Sequence, residues 1–327
     1  LAKLDKAFSE CYGNLNYGNL NIESIRYRYI YLTLIARYIH DSESLKKYLR
    51  EAQKLYERAR KLQNNTKVSV ELLGLISWLY TVLGDYDEAI KFQEKVVDKC
   101  LSKLGEGDYL TLANINNLAL KYTNHGGNLQ LVKGTKKRGR DYLKKALELH
   151  TKALEVSKIL YGENSLRVLT SMHNLAITYE KLDFDQRALE LCEQVIEKRS
   201  QLLGENHPET LMTKANLAYL YKKMGKHSEA LSLYLLVFEE RKKVLGEYHK
   251  DTYETLRELI MLETIKLYRN PEILDTEELD RLKTHLLQAI ATEAHLYDAE
   301  SPVINSYRRS LEAIETLPGS RASTGRL

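Results

Sequence analysis

The chain has 327 residues, of which 29% are charged and 43% hydrophobic, with four prolines and a net charge of +4. That profile belongs to a long helical protein rather than a disordered one, and the charge is too small to demand a polyanionic partner. Cys11, Cys100 and Cys192 make neither a disulfide framework nor a Cys-x-x-Cys pair, which points to a reducing, cytoplasmic setting.

Nothing at the start reads as a signal peptide, and the absence of an initial methionine is the pattern of a fragment of something longer. YIYLTLIARYI (29–39) is too short to cross a membrane and contains Arg37. Residues 1–65 read as helix pairs of degenerate repeat character. IRYRYIYLTLIARYIH (25–40) carries an apolar stripe at helical spacing. Ser42 and Ser44 are the N-cap candidates for a second helix running through 48–62, with Ala52, Leu55, Tyr56 and Ala59 on one face. Asn64-Asn65 ends the pair.

Clear repeats fill 66–263. The first covers 70–106; its first helix stops near Gly84, and Asp85 is placed to cap the second. The next opens with LANINNLALKY (112–122), but Asn117 and Ala146 are 29 residues apart where Asn174 and Ala188 are 14 apart. The surplus 15 residues lie in TNHGGNLQLVKGTKKRGR (123–140), predicted to be a basic loop inserted between two helices and dispensable for folding.

From Ser171 to Glu254 the sequence repeats itself. HNLAITY (173–179) returns as ANLAYLY (215–221), Ala188 as Ala230, Leu203-Gly204 as Leu245-Gly246 and Thr210 as Thr252, always 42 residues on. A fixed period of this size marks a solenoid whose unit cannot bury its apolar face alone. The fold class is therefore all-α, a right-handed α-solenoid whose A helices, at about 70–83, 108–122, 167–181 and 209–223, line the concave side. Ala89, Ala146, Ala188 and Ala230 are the small residues that let helices approach, and Pro208 suits a first helical turn. His173 and His207 sit at repeat positions and read as structural. The pattern decays over 264–317, with a helix at about 277–297 and a capping repeat at 296–314, and 318–327 is an expected disordered tail.

Asn117, Asn174 and Asn216 recur at the centre of the A helices, where asparagine is a poor helix former. Their amides bond a neighbouring backbone or line a groove and bond the main chain of an extended peptide. The 42-residue unit with NNLA, the small alanine and LGExHP resembles the tetratricopeptide repeats of kinesin light chains, with related arrays in nephrocystin-type and nucleotide-binding receptor proteins. The resemblance implies a scaffold or adaptor whose groove takes a short acidic peptide. It assigns peptide contacts to Asn117, Asn174 and Asn216, to Leu120, Ile177 and Tyr219, and to Arg199 and Arg241. Lys181, Lys222 and Lys223 would add positive potential. Leu75 replaces the asparagine in the first repeat, Cys100 and Ser157 stand at the arginine position of the first two, and no heptad segment is present.

Two other readings stay open. One is a ligand-sensing or autoinhibitory array of a larger, nucleotide-driven signalling protein. The other is nucleic-acid binding through Lys133, Lys136, Lys137, Arg138 and Arg140, a basic run that equally suits an acidic protein or an anionic membrane; no aromatic is interleaved for base stacking. No HExxH, GxSxG, Walker or GxGxxG pattern occurs. Neither catalysis, a cofactor nor a metal is expected.

Overall fold

The computed structural model describes residues 21–36, 41–62, 65–269, 276–297 and 300–315. Among them are thirteen helices and no strand. The expected tail at 318–327 and Asn64 lie outside the described residues. The chain divides into two compact units, residues 1–182 and 183–327.

The first unit holds α1 (Ile22–Ala36), α2 (Ser42–Ala59), α3 (Thr66–Val82), α4 (Tyr86–Leu104), α5 (Tyr109–Leu131), α6 (Lys136–Tyr161) and α7 (Leu166–Lys181). The stripe on α2 packs as its spacing predicts: Ala52, Leu55 and Ala59 are fully buried against Ile25 and Leu32 of α1 and Leu72, Ile76 and Leu79 of α3. The cap of α2 is Asp41, not Ser42 or Ser44. Asp41 is extended, so its carboxylate swings over the first turn and accepts from the Ser44 N–H at 2.7 Å. Asp85 caps α4 as expected, accepting from the Glu88 N–H.

The expected loop at 123–140 is not a loop. Residues 123–131 continue α5 and 136–140 begin α6, leaving a turn of four residues, 132–135. Glycine reads as a loop former from sequence, but here two glycines face each other across the helix pair. A Cβ on Gly126 would lie 2.7 Å from the Gly139 carbonyl oxygen, and one on Gly139 would lie 2.6 Å from that of Gly126. Only bare backbones reach this approach. His125, buried beside the crossing, stacks on Tyr86 and tilts against Tyr142, with ring centroids at 5.5 and 5.1 Å. Asp87 of α4 accepts from Arg138 at 2.5 Å and from the Tyr142 hydroxyl at 3.0 Å. A segment tied in this way is part of the packed array rather than an inserted loop.

The second unit holds α8 (Asp185–Leu203), α9 (Pro208–Lys223), α10 (His227–Val244), α11 (Lys250–Arg269), α12 (Thr276–Leu296) and α13 (Pro302–Glu315). Its core runs from Ala218 and Ala230 through Tyr234, Phe238 and Leu259 to Leu286 and Ile314. The 42-residue period of the sequence is here a period of hydrogen bonds. Gly204 and Gly246 end α8 and the α10 turn at φ +98°, open to glycine alone without strain. Their carbonyls accept from Thr210 at 3.0 Å and Thr252 at 2.9 Å. Nδ1 of His207 and of His249 each accepts the N–H two residues on, at 3.2 Å in both.

Candidate functional site

Helices α3, α5 and α7 lie side by side in the first unit, seamed by short polar side chains. Lys121 Nζ donates to Thr81 Oγ1 at 2.6 Å, Asn116 reaches Ser171 Oγ at 3.5 Å, and the Thr123 and Thr178 hydroxyls meet at 2.9 Å. What faces away from these seams follows helical spacing. On α3 it is Trp78 and Val82, 37% and 46% exposed; on α5 it is Asn117, Leu120 and Asn124, with Lys121 between them and the α3 seam; on α7 it is Ile177 and Lys181.

The predicted site residues separate on this surface. Asn117 is exposed, and Leu120 and Ile177 are half-buried beside it in register. Asn174 is only 8% exposed, absorbed into the packing. Lys181 pairs with Glu180 at 3.1 Å. In the second unit Asn216 and Tyr219 are half-buried on α9. Lys222 donates to Glu258 at 2.5 Å and lies over the Tyr219 ring, while Lys223 donates to Asp183 at 2.9 Å and Asp185 at 2.8 Å. These lysines are already neutralised by carboxylates of their own unit.

Arg199 and Arg241 are not groove residues. Arg199 is 0% and Arg241 6% exposed. Arg199 Nη1 donates to the Glu209 carbonyl at 2.9 Å and to Thr213 Oγ1 at 2.8 Å, and Nη2 pairs with the Glu209 carboxylate. Arg241 Nη1 donates to the Asp251 carbonyl and Thr255 Oγ1, both at 2.8 Å. Each guanidinium fastens the start of the next A helix through Nη1, inside the fold rather than toward a groove. The same junction explains the departures in the first repeats. Cys100 stands where the arginines do, and Asn114, 14 residues on like Thr213 and Thr255, points its amide to Cys100 Sγ at 3.9 Å.

Two residues the sequence reading passed over complete the surface. Trp78 occupies on α3 the place of Leu120 and Ile177, three residues after Leu75, and that register was available as a signal. Lys121 was not findable by spacing. Its ammonium is half-buried, its one hydrogen-bond partner among the described residues is the Thr81 hydroxyl, and burial holds its pKa below the usual lysine value. Among the described residues no group of three His, Cys, Asp or Glu side chains could hold a metal ion, and no helix is long and apolar enough to cross a membrane.

The tetratricopeptide-repeat family models match residues 70–98, 168–209 and 210–251. These segments are tetratricopeptide repeats. The chain is similar in structure to the nearly identical TPR-like repeats of a protein described as a kinesin light chain of Podospora anserina, at 22% identity, covering 72% of this chain and 98% of that one with a TM-score of 0.51. It is similar to NprR in complex with its cognate peptide NprX, at 16% identity over 96% of this chain and 78% of that one, TM-score 0.56. It is similar also to the apo quorum sensor NprR of B. thuringiensis, at 14% identity over 95% and 91%, TM-score 0.53. No curated protein matches at the sequence level. At these identities the likeness establishes the fold: an α-solenoid of tetratricopeptide repeats.

Proposed function

We propose that the chain is a protein-interaction scaffold and that the α3–α5–α7 face of its first unit takes an acidic peptide segment. Lys121 carries this reading. A half-buried ammonium without a carboxylate partner is poorly compensated alone, and an incoming carboxylate supplies what burial removed. Asn117, four residues away on the exposed side of the helix, offers donors and an acceptor to a peptide main chain. Trp78, Leu120 and Ile177 give the apolar floor. That NprR has been crystallised with a peptide supports a peptide as the ligand class. The same likeness keeps a sensing array of a larger signalling protein as the second reading. Burial pushes the Cys192 thiol up to about 12, which suits an inert thiol in a reducing, cytoplasmic compartment.

Trp78 is the only tryptophan in the chain, so its emission reports on this face alone. A panel of acidic peptides is titrated while that emission is followed. Lys121→Met and Asn117→Ala should each weaken binding at least about tenfold. Lys222→Met, at a lysine already paired with Glu258, should change it less than about twofold. Binding that leaves Trp78 silent, or that Lys121→Met leaves intact, would overturn the assignment.

A further inference from the structure

The end of the α5–α6 hairpin is the most unusual surface of the first unit. Leu131 is 87% and Val132 53% exposed at its apex. Around them Lys133, Lys136, Lys137 and Arg140 are all exposed, and none makes an ion pair among the described residues. Arg138 alone turns back, to Asp87. No acidic residue occurs anywhere in 123–140.

This tip is built, not frayed. Thr135 Oγ1 donates to the Leu129 and Val132 carbonyls at 2.6 and 3.0 Å, Gly134 turns the chain at φ +87°, and the glycine crossing fixes the hairpin below. The turn therefore holds an aliphatic pair out into solvent. It also opens α6 with Lys136 and Lys137, with no acid in the first turn and no side-chain cap from Thr135. Cations at a helix N-terminus oppose the helix dipole. A local rule broken without compensation inside the fold points to compensation from outside.

We propose that the α5–α6 tip docks on an anionic lipid bilayer. Leu131 and Val132 enter the acyl boundary while the four cations lie at the level of the headgroups, their aliphatic stems running along the apolar pair. Charge alone would suit any polyanion. The exposed aliphatic pair selects the bilayer, because hydrocarbon lies directly beneath its negative charge, and 123–140 contains no Phe, Tyr or Trp on which a base could stack.

The test is cosedimentation of the purified chain with phosphatidylcholine vesicles and with phosphatidylcholine–phosphatidylserine vesicles. Binding is expected only to the second kind, and should weaken between about 0.1 and 0.5 M salt. Each basic residue near the surface contributes roughly five-fold, so replacing Lys133, Lys136, Lys137 and Arg140 by alanine should lower partitioning by a few hundred-fold. Leu131→Ser with Val132→Ser, which leaves every charge in place, should lower it at least about tenfold. Circular dichroism checks that both variants keep their helices. No difference between the vesicle types would overturn the proposal, as would full partitioning of the serine variant. Binding to heparin or RNA, lost in the alanine variant, with no binding to vesicles would overturn it in favour of a soluble polyanion.

Discussion

The α8–α11 stretch and the α5–α6 hairpin solve the same problem, joining one helix pair into a repeat array, by opposite means. Around α8–α11 each junction is polar and specified by side chains. A buried arginine, a threonine 14 residues on, a histidine cap and a left-handed glycine recur with matching distances at both junctions. In α5–α6 the joining is done by the absence of side chains: Gly126 and Gly139 bring two backbones into contact, and both helices extend past the usual repeat length. A junction made of side chains tolerates change in steps, because each hydrogen bond is lost separately. One made of touching backbones has no slack at all.

The largest effect should follow from giving the glycine crossing a side chain. Gly139→Val sets new atoms against the Gly126 carbonyl, a neighbour that cannot rotate away, and should cost about 3 kcal/mol in chemical unfolding. Helix propensity by itself slightly favours valine over glycine, so a loss under about 1 kcal/mol would mean that the hairpin opens freely and the contrast with α8–α11 is false.

Next come the arginine junctions. Arg199→Met and Arg241→Met each remove charge-assisted bonds from a buried site while keeping much of the volume, and each should cost about 2 kcal/mol. Losses within about 1 kcal/mol of each other are the sharper expectation, since both sites carry the same two Nη1 bonds 42 residues apart and Arg199 adds only a pair to the exposed Glu209 carboxylate. Neither change should alter the Trp78 response to peptide. A changed response would return the arginines to the binding surface.

The smallest effect is one of pH, in the first unit alone. His150 of α6 is fully buried, with no hydrogen-bond partner at either ring nitrogen among the described residues, and burial pushes its pKa down to about 4. The unfolded chain takes up this proton from about pH 6.5 downward, whereas the folded chain resists until near pH 4, so stability falls with pH across that window. The loss between pH 7 and pH 5 should be about 1 to 2 kcal/mol, and His150→Leu should remove it. Parallel losses in the variant and the native chain would show that other groups set the acid response.

How much of this was legible beforehand differs from element to element. Ala146, Ala188 and Ala230, the glycines at 204 and 246, and the A-helix positions of Asn117, Leu120 and Ile177 were readable, because a helix of fixed pitch converts residue spacing directly into a shared face. The repeat class was readable for the same reason. The fate of the polar side chains on those helices was not. Arg199 and Lys121 are both cations on helices of the array, yet one lies fully inside a junction and the other meets only a hydroxyl. Spacing says on which side a residue stands; what it meets there depends on how closely the next helix approaches. The segment 123–140 shows that dependence most plainly. Its glycines, asparagines and lysines are the local chemistry of a loop, and only the contact between Gly126 and Gly139, two positions with no side chain to announce it, turns the stretch into helix.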